Sequence, residues 1–188
     1  MKITCGTDII EIDRIRESIE TALEIDAKGV VFHTNHTPML KSDFYISGWL
    51  DKNSEYWSHI CDEYKDIDIY IENMFDDTPM LLKKLSENLS DKKNFGVCLD
   101  YAHAHVFGDN ADDFVKELSS FTKHIHINDN DLEADLHLAV GDGKIDWNIF
   151  KKCFEDSFEN VKSVLIETSD INSQRKSAEY LKTLGILN

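Results

Sequence analysis

The sequence predicts an α/β protein whose parallel sheet is curled into a (β/α) barrel. Short apolar runs alternate with amphipathic segments: residues 97–99 precede a segment at 113–123 that has apolar side chains at helical spacing. Near-continuous apolar strands are typical of parallel sheets covered by helices. Five runs also end in a residue that can bind a metal, and in a parallel barrel such strand ends converge at one mouth. In a doubly wound open sheet, the alternative, they spread along an edge.

The pattern predicts six strand–helix units, of which the first is a short strand at residues 2–5 and a helix at residues 12–27. The later predicted strands are residues 30–32, 67–71, 97–99, 124–127 and 164–166, and the later helices are residues 57–64, 80–89, 113–123, 147–158 and 173–184. Residues 34–47 are expected to be a loop, and Thr78 is expected to cap the helix that follows it. A complete barrel has about eight units, so we expect the first one or two units to be missing.

Length and composition fit a single domain spanning residues 1–188. A chain of 188 residues with 41% hydrophobic content can bury one sizeable core. The four cysteines, Cys5, Cys61, Cys98 and Cys153, form no CxxC pair, so free thiols and a cytoplasmic location are expected. No apolar stretch approaches the roughly twenty residues of a membrane span.

The charge disfavours nucleic acid as a partner. The chain has 20 basic and 36 acidic residues and a net charge of -16, which repels a phosphate backbone. Arginine occurs only at Arg14, Arg16 and Arg175, and the few lysine pairs are typical of solvated helix edges. A bound metal cluster would offset this acidity locally.

The strand ends supply a set of potential metal ligands, which are His33, Glu72, Asp100, His126 and Glu167. Alone, such a residue more often caps the following helix than binds a metal. Together, the three carboxylates would repel one another strongly without a cation. Three carboxylates and the imidazole of His126 form an oxygen-rich set that suits manganese, magnesium, cobalt or zinc.

Several other polar residues are expected to have structural roles. His124 precedes His126 by two positions, so it should face the same side, deeper in the barrel, as a hydrogen-bonded core histidine. His36, His59 and His105 are expected at the surface or behind the ligands. The aspartate pairs at 76–77 and 112–113 are expected to be helix N-terminal charges.

Four motifs resemble one known superfamily. They are LDYAH at 99–103, HIHIND at 124–129, DLHLAVGDGKIDW at 135–147 and LIET at 165–168. They resemble the strand ends of the xylose-isomerase-like TIM-barrel superfamily, which contains sugar isomerases, sugar epimerases and endonuclease IV. VVFH at 30–33 and IEN at 71–73 fit the preceding strands. The resemblance implies a TIM-type barrel over most of the chain.

The resemblance also implies a metal-dependent sugar enzyme. Glu72, Asp100, His126 and Glu167 resemble the metal ligands of the epimerases, and Glu72 and Glu167 resemble their acid–base pair. His103 resembles a residue that contacts the sugar. The implied function is a divalent-metal-dependent isomerase or epimerase of a sugar or sugar phosphate, acting by proton transfer through an enediolate. A homo-oligomer is one way in which the barrel could be completed.

Two alternatives remain open. The first is a zinc-dependent nuclease similar to endonuclease IV, in which His33, His103, Asp135 and His137 resemble additional zinc ligands. The second is an inactive remnant of a barrel. The nuclease has a further histidine before the position of His33, where this chain has none, and the epimerases have an arginine where residues 127–146 have none.

A second resemblance concerns the N-terminus. Residues 6–20, GTDIIEIDRIRESIE, are similar to the start of holo-acyl-carrier-protein synthase, which implies magnesium binding at Asp8. The fold of that enzyme does not suit the remainder of the chain, so transferase activity is not expected.

Overall fold

The computed structural model describes residues 6–187, with side chains described from residue 13. Its helices are α1 (Gly6–Glu24), α2 (Asp43–Glu63), α3 (Met80–Asn88), α4 (Tyr101–Val106), α5 (Ala111–Leu118), α6 (Trp147–Ser157) and α7 (Ile171–Thr183). Its strands are β1 (Gly29–His33), β2 (Asp68–Glu72), β3 (Phe95–Asp100), β4 (Thr122–Ile127) and β5 (Ser163–Ile166). The strand predicted at residues 2–5 and the side chain of Asp8 lie outside this description.

Five parallel strands form one sheet in the order β1-β2-β3-β4-β5. The register places His33 beside Glu72 and Asp100 beside His126. The sheet curls into a half-barrel. This consecutive order confirms the predicted singly wound barrel, because a doubly wound sheet reverses its strand order at a switch point. The described strands form an incomplete barrel of the TIM type.

The hydrophobic core lies between the convex face of the sheet and the helices. On the three central strands, six outward-facing side chains are at most 1% exposed; they are Ile69, Ile71, Val97, Leu99, Ile125 and Ile127. Burial of each such side chain contributes about 1.5–3 kcal/mol. On the concave face the sheet is more open, and Leu165 of β5 is 44% exposed there. The core therefore supports the sheet from one side only.

Four helices differ from the prediction. Helix α1 spans Gly6–Glu24 instead of residues 12–27, and Asp26, with φ of +59°, lies beyond its end. Helix α2 begins at Asp43, with Ser42 as its N-cap, because Ser42 Oγ accepts a hydrogen bond of 3.3 Å from the Tyr45 amide. Residues 43–56 are therefore helical, although the sequence predicted a loop up to residue 47 and a helix only from residue 57. Polar side chains are so frequent in this segment that no apolar helical pattern was evident. Helix α4 was not predicted, and α5 ends at Leu118 because β4 already begins at Thr122.

The turn before α3 also corrects two predictions. Pro79, not Thr78, occupies the N-cap of α3, and it makes no side-chain capping bond. Asp76 is not a helix-terminal charge but is 2% exposed, and its Oδ2 accepts hydrogen bonds from Thr34 Oγ1 (2.8 Å) and the Met74 amide (3.0 Å). Asp112 lies in the first turn of α5, as predicted.

Within residues 6–187, none of the helices has both the length and the apolar character that crossing a membrane requires.

Candidate metal centre

Four side chains at the carboxyl ends of the strands meet on the concave face of the sheet. They are Glu72 at the end of β2, Asp100 at the end of β3, His126 near the end of β4 and Glu167 just after β5. One donor atom from each lies within 4.8 Å of the others. Ligand bonds of about 2.0–2.3 Å around one ion would span such a set after small side-chain adjustments. We call this set the carboxylate centre.

His126 lies between two of the carboxylates. Its Nδ1 is 3.1 Å from Glu72 Oε1 and 3.0 Å from Glu167 Oε2, but only the contact with Glu72 has hydrogen-bond geometry. Within the described part of the chain, Glu167 Oε2 has no hydrogen-bond partner. Burial opposes a charge on His126, but Cys98, Glu167 and Glu72 outweigh it and raise the pKa of the imidazole. The same imidazole lowers the pKa of Glu167. The carboxylates of Glu72 and Glu167 thus stabilise positive charge at this position.

Asp100 is fully buried and has two roles. Its Oδ1 accepts a hydrogen bond of 2.7 Å from the His103 amide and so caps α4. Its Oδ2 faces the centre, 3.7 Å from His103 Nδ1. Burial raises the pKa of Asp100 to about 7. A divalent cation would remove the cost of ionising this carboxyl group.

Asn73 holds Asp100 in place and was not singled out by the sequence. Its Nδ2 donates to the Asp100 carbonyl (2.9 Å), and its Oδ1 accepts from the Asp100 amide (2.9 Å). The Asn73 carbonyl also lies 3.0 Å from His103 Nδ1. Its position directly after the candidate ligand Glu72, at a strand end, is the sequence signal that could have pointed to it.

A second group of donors lies beside the first and consists of His103, Asp135 and His137. Asp135 Oδ2 is 3.3 Å from His103 Nε2 and 3.2 Å from His137 Nε2. His103 Nε2 and Asp135 Oδ1 are buried, and neither has a hydrogen-bond partner in the described side chains and backbone. Glu72 Oε1 lies 3.5 Å from His103 Nδ1, so the two groups adjoin through this carboxylate. We call this set the histidine–aspartate centre.

Backbone strain accompanies this second group. His137 has φ of +49°, in the left-handed region that side chains rarely adopt. Its Nδ1 lies 3.0 Å from the Glu167 carbonyl, which leaves Nε2 directed at Asp135. Strain of this kind, of the order of 1–3 kcal/mol, persists where the surrounding structure demands it and is concentrated at functional sites.

The loop that supplies Asp135 and His137 is organised by Asp129. This residue is fully buried, and its carboxylate accepts hydrogen bonds from the amides of Asn130, Gly141 and Ile145 and from Trp147 Nε1 (2.8–3.2 Å). Its backbone pairs with Leu138 in an isolated antiparallel bridge. Asp129 therefore has a structural role, although it ends the HIHIND motif at 124–129, which also contains the candidate ligand His126.

Two predicted histidines lie at the edge of the centre. His33 Nε2 is 3.5 Å from Glu72 Oε2, but the side chain is 44% exposed, and within residues 6–187 it joins no group of three donors. His124 faces the same side as His126, as expected, and its Nδ1 lies 2.8 Å from Ser163 Oγ.

The remaining histidines divide between surface and interior. His59 is 67% exposed, as predicted. His36, by contrast, is only 9% exposed, with its Nδ1 3.8 Å from Asp76 Oδ1. His105 is half-buried in edge contact with Tyr101, and burial lowers the pKa of its imidazole. Of the two positions expected for these histidines, the surface one holds for His59, whereas His36 packs against Asp76 in the segment between β2 and α3.

Comparison with known proteins places this geometry in a family. The model of the family described as xylose isomerase-like TIM barrel matches residues 10–184. The uncharacterized protein MJ1311 of Methanocaldococcus jannaschii is 34% identical over 192 residues, which cover 95% of this chain and 64% of that protein. The chain therefore spans less than two thirds of this relative.

Two further likenesses point to different members of the family. The crystal structure of a D-tagatose 3-epimerase-like protein is 31% identical with a TM-score of 0.78, covering 96% of this chain and 71% of that one. The probable endonuclease 4 of Phocaeicola vulgatus is 26% identical over 115 residues, covering 54% of this chain and 41% of its own. With the family model matching nearly the whole chain, this protein belongs to the xylose isomerase-like TIM barrel family.

Proposed function

We propose that this chain provides the active site of a divalent-metal-dependent isomerase or epimerase of a sugar or sugar phosphate. The observation that supports this most directly is the placement of two carboxylates on either side of His126. Glu72 and Glu167 approach the same Nδ1 atom at 3.1 and 3.0 Å from different strands. Two carboxylates around one position are what exchange of a carbon-bound proton requires, one as base and one as acid.

The two carboxylates differ in environment, which suggests a division of roles. Glu167 is 37% exposed, and the neighbouring His126 keeps the pKa of its carboxyl low, so it is an available base at neutral pH. Glu72 is 3% exposed and hydrogen-bonded to His126, so it is held in one orientation. Glu167 then acts as the base and removes the proton from the substrate carbon. Glu72 acts as the acid and returns a proton to that carbon on its opposite face.

The donors fit a divalent metal, which Glu72, Asp100, His126 and Glu167 would hold. When bound, such a metal supplies electrostatic stabilisation for the negative charge that develops on the substrate oxygens. His103 has one ring nitrogen anchored by the Asn73 carbonyl at 3.0 Å, so its other nitrogen can contact a substrate hydroxyl. The half-open concave face and the net charge of -16 suit a small polar substrate rather than a polyanion.

Turnover of a panel of ketoses, aldoses and their phosphates in deuterated buffer tests this proposal. We expect manganese, magnesium, cobalt or zinc to support solvent deuterium entry at a carbon beside the carbonyl, as seen by NMR. Glu167→Gln should lower the rate by at least about a hundredfold, whereas exposed Glu159→Gln should not change it. If no panel sugar takes up deuterium with any of the four metals, the proposal is wrong.

The second candidate is a zinc-dependent phosphodiesterase that cuts DNA at abasic sites. The histidine–aspartate centre favours it, because adjoining metal sites suit phosphoester hydrolysis, and the similarity to a probable endonuclease 4 agrees. In this case His103 would bind zinc instead of substrate. The acidic surface opposes it.

Metal analysis separates the two candidates. A hydrolase predicts that Asp135→Asn lowers the number of zinc ions per chain that survive dialysis and abolishes nicking of an abasic duplex. The sugar enzyme predicts no nicking and a zinc content that Asp135→Asn leaves unchanged. Glu133→Gln, which changes an exposed carboxylate of the same loop, is the control for Asp135→Asn.

A further inference from the structure

A third group of donors lies on the concave face, one residue layer below the carboxylate centre. It consists of Cys98 on β3 with His124 and His126 on β4. The thiol sulfur and one nitrogen of each imidazole lie within 4.8 Å of one another. The two imidazole rings are nearly perpendicular, with centroids 5.0 Å apart. We call this set the thiol–histidine cluster.

The strand register brings these side chains together. Cys98 is paired directly with His124 in the parallel β3–β4 ladder, and His126 follows His124 by two residues on the same face. Cys98 is fully buried, and His126 has only 7% of its side chain exposed. Two of the three side chains of the cluster are therefore buried in the sheet, while His124 is partly exposed.

Each imidazole has one ring nitrogen committed elsewhere. His124 Nδ1 lies 2.8 Å from Ser163 Oγ and 3.1 Å from the Ser163 carbonyl, and its ring stacks on Tyr70. His126 Nδ1 faces Glu72 and Glu167 in the carboxylate centre. The other nitrogen, His126 Nε2, is buried and has no hydrogen-bond partner among the residues that the structure describes. Such a group in a native core calls for a ligand.

We propose that Cys98, His124 and His126 bind a thiophilic divalent cation, with zinc the best fit, at a site distinct from the carboxylate centre. One thiolate and two imidazoles are a ligand set that zinc accepts in proteins, with a fourth position left for water. His126 would belong to both sites, with Nδ1 in the carboxylate centre and Nε2 in the lower one. Binding releases the thiol proton to solvent.

The cluster can be reached from the open side of the sheet. His124 lines a cavity of about 480 Å³ together with Val31, Tyr70 and Ser163. Two lysines also border this cavity, but Lys162 is paired with Asp68 at 2.5 Å, which offsets part of the positive charge. A hydrated cation can therefore approach His124 without passing through the carboxylate centre.

Titration of the metal-stripped chain with cobalt(II) tests the proposal. Thiolate ligation gives an intense near-ultraviolet charge-transfer band, which carboxylates and imidazoles alone do not produce. We expect this band in the wild type and in Cys61→Ser, which removes a buried thiol outside the cluster. We expect Cys98→Ser to abolish it while the weak visible bands of cobalt in the carboxylate centre remain.

A second variant distinguishes ligation by His124 from mere support of the site. Loss of an outer-shell partner costs roughly 10–100-fold in metal affinity. His124→Gln should therefore weaken the cobalt affinity measured at the charge-transfer band by more than about a hundredfold. Ser163→Ala, which removes only the hydroxyl beside His124 Nδ1, should weaken it within that range.

Three outcomes would overturn the proposal. They are a wild type that binds cobalt without the charge-transfer band, a band that persists in Cys98→Ser, and a His124→Gln affinity equal to that of the wild type. None of these readouts uses sugar turnover, so a failure here is separate from a failure of the proposed isomerase activity.

Discussion

Glu72 Oε1 accepts a hydrogen bond of 3.1 Å from Nδ1 of His126, although 54 positions separate the two residues in the chain. The contact exists because β2 and β4 both end at the same mouth of the curled sheet, on either side of β3. Around it lie the carboxylates of Asp100 and Glu167. The following predictions test what this arrangement requires of its ligands, its supports and its buried charges.

Asp100→Asn should remove most of the stabilisation that a divalent metal confers. A metal at a hundred times its Kd stabilises the folded protein by about 2.7 kcal/mol, and a hundredfold loss of affinity reduces this to about 0.4 kcal/mol. Thermal melts with and without manganese or zinc measure the difference. In chelator above pH 7, the variant should be at least as stable as wild type, because burial raises the pKa of Asp100 to about 7. Equal metal-induced shifts in both proteins would contradict Asp100 as a ligand.

Asn73→Ala should destabilise the protein by about 2–4 kcal/mol, since it removes two buried hydrogen bonds and leaves the Asp100 amide and carbonyl unpaired. Urea denaturation measures the free energy of unfolding. Asn88→Ala, which removes a single exposed bond to Ser54, is the control and should cost less than about 1 kcal/mol. Metal affinity of Asn73→Ala should fall as well, and an unchanged affinity would show that Asn73 does not position Asp100.

Gly143→Ala should lower the free energy of unfolding by about 1–3 kcal/mol, because it disturbs a tightly packed loop. A Cβ at this position would lie 2.2 Å from both Asp129 Oδ1 and the Asn130 carbonyl, so the loop that contains Asp135 and His137 must shift. Gly48→Ala is the matched control: no atom of the residues that the structure describes lies within 4 Å of a Cβ at this position, and alanine should stabilise α2 by about 0.5–1 kcal/mol. Chemical denaturation of both variants checks the two signs, and equal effects would contradict the close approach at Gly143.

Asp76→Asn should change the pH dependence of stability. Burial raises the pKa of Asp76 in the folded state, so its contribution is fully present below the unfolded pKa of about 4 and is lost as pH rises through the folded value. The stability of Asp76→Asn relative to wild type should therefore increase between pH 4 and pH 8 in urea denaturation. Asp113→Asn, which removes an exposed charge, is the control. Parallel curves for wild type and Asp76→Asn would show that Asp76 ionises without cost.

Local patterns predicted most of the fold. The apolar runs of β2, β3 and β4 and the leucine stripe of α3 are properties of neighbouring residues, so the sequence located these elements within a few positions. Helix α2 was predicted too short, because its first half is polar and its N-cap is set by one hydrogen bond to Ser42 Oγ. Helix α4 was missed, because six residues after a strand do not establish a helical period.

The candidate metal site likewise has one part that the local sequence predicts and another part that only tertiary contacts determine. By its own residue order, the sequence determined that polar residues able to bind a metal terminate successive apolar strands, and therefore that Glu72, Asp100, His126 and Glu167 share one end of a parallel sheet. Only the tertiary structure decided three further contacts. Asn73 is hydrogen-bonded to the backbone of Asp100, and Cys98 adjoins two imidazoles. Asp135 lies between His103 and His137. These contacts depend on strand register and on a loop folded around Asp129, which are set by packing and hydrogen bonds between distant segments rather than by local periodicity.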